Sequence, residues 1–239
     1  MVALMTKQIL LVGKGIYSFP RASQLTGIPT QNLRRWSLGR TGEPQSITSR
    51  PLVGLELPDI DSEHALSFLN LVELKLIGEF RRLGLPLQYI RRVVDVLEDS
   101  YNWRHPLACR RLLTDGRSIF AEIDERGEFA CIEVAGRRPG HVVMEDVIRP
   151  FFKDIEFYEE TDLARRWFPA GVDGRIVIDP TVALGEPTIA DYGVPTSLLA
   201  EMLAAGDSPA AISEWYELPA DDVIRAGRFE SSLTRGVAA

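Results

Sequence analysis

The chain has 239 residues, 45% hydrophobic and 26% charged, with 19 Gly and 15 Pro, a globular composition that excludes disordered, collagenous and coiled-coil chains and supplies one large or two small cores. Twenty-seven Lys and Arg against 34 Asp and Glu leave a net charge of −7, which, averaged over the chain, argues against a nucleic-acid binder. Cys109, Cys131, His64, His105 and His141 fall at no metal-ligand spacing, so neither a metal nor any other cofactor is expected.

The average conceals a polarity. Met1 to Leu55 holds seven basic residues (Lys7, Lys14, Arg21, Arg34, Arg35, Arg40, Arg50) and one acid, Glu43, a local balance of +6. Arg175 to Glu230 holds three basic residues and ten acidic ones, a balance of −7. Ends with opposite fields suit two partners, a polyanion at one and a basic surface at the other. No apolar run reaches the roughly 18 residues of a membrane span. Met1 to Val12 lacks the cleavage pattern of a signal peptide. A cytoplasmic setting with no membrane partner is expected.

In chain order, Gln8–Val12 is extended and leads through Gly13 and Gly15 into two short helices. Gly27 supplies the left-handed turn between them and Pro29 suits the first turn of the second. Ala22, Leu25, Ile28 and Leu33 form the small core beneath. The second helix, Pro29 to Trp36, presents Thr30, Gln31, Asn32, Arg34 and Arg35, which can meet base edges and phosphates in a major groove. Two β-prone pieces, Gln45–Ser49 and Leu52–Leu57, predict a wing, with Arg40 and Arg50 near its base to hold the backbone and Arg21 as a further candidate DNA contact. Apolar residues from Leu66 to Leu83 at three-to-four spacing predict a helix closed by Gly84, and Pro86 to Leu97 predicts another.

FPRASQLTGIPTQNLRRW and RRLGLPLQYIRRVVDVL resemble the MerR-type winged-helix DNA-binding domain over about the first hundred residues. The coiled coil that usually follows in that family does not, because Asn102, Trp103, His105 and Pro106 interrupt the helix between Asp99 and Pro106. Metal or drug sensing of the MerR kind therefore finds no support.

In the middle segment Ser118–Ile123, Phe129–Val134 and His141–Met144 predict a small antiparallel meander. It fits a dimerisation sheet, a ligand-binding module or a spacer; pairing with a second copy is one way to cover its apolar face. Beyond Trp167, Arg175–Pro180 predicts a strand, Gly185 and Pro187 a return, and Pro195 onward a helix stopped by Gly206. Ser208 and Pro209 cap a second helix, and Leu218-Pro219 opens a third. The fold class is thus α+β, mainly helical: a winged helix-turn-helix domain over 1–104, a small β meander over 105–170, and a β-hairpin plus three-helix domain over 171–239.

Arg175 to Ala226, RIVIDPTVALGEPTIADYGVPTSLLAEMLAAGDSPAAISEWYELPADDVIRA, closely resembles the DUF433 family through its IDP turn, G-x-P-x-I strand, V-P helix start and GDSP cap. With the winged helix before it, the chain is similar to a VapB-class antitoxin of mycobacterial type. That resemblance implies a regulator that binds and inhibits a PIN-like ribonuclease toxin and represses its own operon by binding operator DNA; a homodimer is expected because a single wing domain offers too few contacts for specific repression. Under it, Trp215, Tyr216 and Phe229 are candidate apolar anchors for the toxin. Arg225, Arg228 and Arg235 are candidates to reach the metal-binding carboxylates of such a toxin.

Solvated helix face, buried aromatic and solubilising charge are the plainer roles for Arg34–Arg35, for Trp36, Trp167-Phe168 and Trp215-Tyr216, and for Glu159-Glu160 and Asp221-Asp222. No GxSxG elbow, P-loop or GxGxxG is present, and no nucleophile has a nearby base, so an enzyme is not expected. The alternative is a small-molecule-responsive regulator whose middle segment is the ligand module.

Overall fold

The computed structural model describes residues 13–39, 50–114, 117–125, 128–135 and 152–236. Among them the helices are α1 (Phe19–Thr26), α2 (Thr30–Leu38), α3 (Phe68–Arg82), α4 (Leu87–Tyr101), α5 (Thr196–Ala205), α6 (Pro209–Tyr216) and α7 (Ala220–Gly236). The strands are β1 (Leu112–Thr114), β2 (Ile119–Glu125), β3 (Glu128–Glu133), β4 (Ile155–Phe157), β5 (Ala164–Trp167), β6 (Ile176–Val177) and β7 (Thr188–Ile189). The class is mixed α and β. Residues form two compact units, each assembled from separated stretches: 1–33, 55–68 and 165–239 in one, 34–54 and 69–164 in the other.

In the first unit the Ser18 side chain accepts the Arg21 amide at 3.2 Å and starts α1, with Pro20 in the first turn. Gly27 ends it at φ +69°, a left-handed conformation that glycine adopts without a Cβ penalty. The Ser23 hydroxyl donates to the Ile28 carbonyl at 2.6 Å and pins the turn. The carbonyl of Pro29 accepts from Asn32 and Leu33, so Pro29 precedes α2 and the helix runs Thr30–Leu38, not Pro29–Trp36. Tyr17 and Leu66 exchange both backbone hydrogen bonds at 2.9 Å, which ties 55–68 to the N-terminal stretch.

The same unit contains the antiparallel pair β6–β7, in register Ile176↔Ile189 and Val177↔Thr188, with Ile178 bridged to Trp167. Ser208 caps α6 by accepting the Ala211 amide at 3.2 Å. Helices α5 and α7 lie so close that a Cβ on Gly227 would come within 2.8 Å of Leu203 Cδ1. Ile176, Ile178, Ile189, Leu199, Ile212, Val223 and Ala226 are buried in this part of the core.

In the second unit α3 and α4 bury Leu71, Leu74, Ile77, Phe80, Ile90, Val93 and Leu97 at helical spacing. Helix α4 ends at Tyr101, within the stretch Asp99–Pro106 where the sequence predicts its interruption. Asn102, at φ +55°, ends it by donating to the Glu98 carbonyl at 3.1 Å. The sheet order is β1-β2-β3, antiparallel throughout. β1 was absent from the sequence expectation; of the expected strands, 141–144 lies outside the described residues. Leu112, Leu113, Ile119, Phe120, Ala121, Ile123 and Ile132 are already buried within the chain. The Ile119 amide also donates to the Tyr89 hydroxyl of α4 at 2.8 Å. These apolar side chains are thus covered within the chain itself.

Leu52–Leu57, predicted as half of a wing, is not a strand. Leu52 and Val53 donate to the Trp36 carbonyl at 2.7 and 3.1 Å, so those amides serve the C-terminal end of α2 instead of a ladder. Gln45–Ser49, Arg40 and Gln8–Val12 lie outside the described residues.

Candidate functional site

Helix α2 carries the residues predicted to meet DNA. Its period turns Leu33, Trp36 and Ser37 inward, all buried, and leaves Gln31, Arg34 and Arg35 exposed on the opposite face, with Thr30 and Asn32 half-buried at its start. Arg35 lies in the last turn, where a cation complements the helix dipole. No acid lies in its first turn.

Arg21 and Arg50, also predicted as DNA contacts, are engaged within the protein. Arg21 donates from Nη2 to Glu186 at 2.8 Å and to Glu230 at 3.2 Å, with its side chain only 17% exposed. Burial alone would lower its pKa, but the hydrogen bond that Arg21 donates to Glu230 and the charges of Glu186 and Glu230 outweigh it and raise the value. Arg50 pairs with Glu98 at 3.0 Å and with Asp95 at 3.9 Å, and its carbonyl accepts from Arg91.

The predicted toxin-binding residues separate into exposed and buried sets. Trp215 is 69% exposed on α6, against the expectation of buried packing, although it lies only one turn along from the buried Ile212. Tyr216 is half-buried and Arg228 exposed, while Phe229 is buried and therefore a core residue of its own unit. Arg225 is held by Asp222 at 3.6 Å and by the carbonyl of Asp173 at 3.1 Å.

Two carboxylates acquire structural roles that local sequence conceals. Asp222, expected as solubilising charge, is buried in the first turn of α7 and accepts from Arg175 Nε at 3.0 Å. Its neighbour Asp221 is exposed. Glu230 bonds Arg21, 209 residues away, and also accepts from the Thr196 hydroxyl. No spacing rule could have paired residues that far apart.

Within the second unit a cavity of about 310 Å³ is bordered by Trp103, Arg104, His105, Cys109 and Arg111. Asp162, buried beside it, is gripped by both Arg110 and Arg111. Among the described residues no group of three or more His, Cys, Asp or Glu could hold a metal ion, and no helix is long and apolar enough to cross a membrane.

Residues 176–229 match the family described as "Protein of unknown function (DUF433)". The chain is 27% identical over 218 residues to "Putative antitoxin VapB45" of Mycobacterium tuberculosis, a match spanning 87% of this chain and 90% of that protein. Its fold is similar to that of an X-ray crystal structure of Rv2018 from Mycobacterium tuberculosis, with a TM-score of 0.60 and 20% sequence identity over 88% of this chain and 95% of that one. At that identity the likeness concerns fold alone.

Proposed function

We propose that the chain is the antitoxin of a type II toxin-antitoxin pair. In this reading it binds and inhibits a PIN-like ribonuclease in the cytoplasm and represses its own operon as a homodimer on operator DNA. The observation that carries the reading is the similarity to "Putative antitoxin VapB45" along nearly the whole of both chains, joined to the DUF433 match at 176–229. The toxin surface is assigned to the acidic C-terminal part. A ribonuclease must present basic surface to hold RNA, and a −7 stretch covers such a surface and competes with substrate by charge. DNA contact is assigned to the outward face of α2 through Arg34 and Arg35, with Gln31 for base edges.

The test is co-expression of the full chain with the product of the adjoining reading frame. Co-purification of the two, together with protection of RNA in a cleavage assay, supports the reading; a partner that neither co-purifies nor loses ribonuclease activity defeats it. Truncation near Pro169 is the wrong instrument, since it removes Gly185, Glu186 and Glu230, the partners of Tyr17 and Arg21. The alternative, a small-molecule-responsive regulator, draws on the cavity beside Trp103 and Arg111. It requires operator affinity that changes with a small ligand and no protein partner.

A further inference from the structure

Helix α5, TSLLAEMLAA, contains one charged residue, Glu201, and is otherwise apolar apart from its first two positions. Helices with that composition are ordinarily buried on most sides. Here only Thr196 and Leu199 are buried; Leu198, Met202 and Leu203 are half-exposed, and Ala204 and Ala205 are exposed. Beside it runs an open groove of about 590 Å³, walled by Ala200, Leu203 and Ala204 of α5 and by Ile224, Gly227 and Arg228 of α7. Ser231 and Ser232 close its far end, and their hydroxyls are returned to their own helix, donating to the carbonyls of Gly227 and Phe229 at 2.7 and 2.6 Å. The walls follow i, i+3, i+4 on α5 and i, i+3, i+4, i+7 on α7, the spacing with which two helices cradle a third.

The charge around this groove specifies what would fill it. On α5, α6, α7 and their connections, Glu201, Asp207, Glu214, Glu217 and Asp221 make no ion pair among the described residues, whereas Asp222 and Glu230 are already paired. Of the cations described there, Arg225 is paired with Asp222, which leaves Arg228. An apolar groove whose two walling helices carry the uncommitted carboxylates Glu201 and Asp221 is complementary to an apolar stripe flanked by lysine or arginine.

We infer that the α5–α7 groove receives an amphipathic, positively charged helix of the toxin. This rests on the antitoxin reading and assigns the part of the C-terminal unit that does the binding. The helix's apolar side chains lie along Ala204, Ile224 and Gly227, and its basic flanks face Glu201 and Asp221.

The experiment measures binding of the co-expressed toxin to full-length variants. Ala204→Arg blocks the groove from α5, and Ser231→Tyr fills it from α7 without changing charge. Ala205→Arg is the control: the same charge on the same helix, exposed, but outside the groove. Ala204→Arg and Ser231→Tyr should each weaken binding by about tenfold or more, with Ala205→Arg within about twofold of wild type and all three melting with wild type. Equal binding by the groove variants and the control overturns the assignment and leaves the antitoxin reading standing. If Ala204→Arg instead changes the oligomeric state of the isolated protein, a second copy occupies the groove and the assignment falls. A wild-type chain that binds no toxin removes the antitoxin reading and this inference with it.

Discussion

Tyr17 donates its hydroxyl hydrogen to the carbonyl oxygen of Gly185 at 2.7 Å, joining residues 168 positions apart in a fully buried contact. Burial pushes the phenol pKa well up, so the group stays protonated and remains a donor. Gly185 has φ +87°, and a Cβ there would stand 2.2 Å from the Tyr17 oxygen. The glycine is required twice over, for its backbone conformation and for the close approach. Tyr17→Phe leaves a buried carbonyl without this partner and should cost about 1–3 kcal/mol of unfolding free energy. Gly185→Ala should cost roughly 3 kcal/mol or more, because strain and clash add. Urea denaturation of the full chain checks both; a Gly185→Ala protein as stable as wild type contradicts the packing argument.

Arg21 and the Arg34–Arg35 pair should respond differently although the sequence marks all three as candidate DNA contacts. Arg21→Ala leaves Glu186 and Glu230 facing each other without their cation, and should lower stability by about 2 kcal/mol, less than for a fully buried pair because Glu186 is 36% exposed. The Arg34→Ala, Arg35→Ala double variant should lose operator affinity and flatten the slope of log K against log salt by about two units. A salt slope that stays unchanged in the double variant would remove α2 from the DNA interface.

Trp215 separates stability from recognition. At 69% exposure, Trp215→Ala should change unfolding free energy by no more than about 0.5 kcal/mol. If it anchors the toxin, the same variant should weaken the complex by at least about tenfold, read as a faster dissociation rate at constant thermal melting. Loss of stability without loss of binding would make it a packing residue.

Glu73 is buried in α3, 3.3 Å from His105. Its pKa is raised, first by burial, against a lowering hydrogen bond and charge from His105 and the Leu107 backbone, with Glu98 adding to the rise. An acid whose folded pKa exceeds its unfolded value binds its proton more tightly when folded. Its favourable contribution is complete below the unfolded pKa and is lost as pH rises through the folded one. Glu73→Gln should therefore melt above wild type at pH 8, and the difference should shrink as pH falls toward 5. A gap that widens on acidification would show that the charged Glu73–His105 pair outweighs desolvation.

Sequence by itself determined the elements whose cause is local. Gly27 ends α1; Ser208 and Pro209 start α6; and the spacing of Ile90, Val93 and Leu97 sets the buried face of α4. Each depends on neighbours within a turn or two, so one chain of residues suffices to read it. The alternation behind β2 and β3 was likewise visible, whereas β1 is a run of three buried residues with no period of its own.

Tertiary structure alone decided what the charges do. Arg21, Glu230 and Asp222 look like solvated surface in sequence, and they become ion pairs only because chain segments 47 to 209 residues apart are brought within hydrogen-bond reach. It also decided which apolar positions stay uncovered. The composition of α5 and the pair Trp215-Tyr216 promised buried packing, but burial depends on what other segments supply, and here Leu199 and Ile212 are covered while Ala204 and Trp215 are left to the outside.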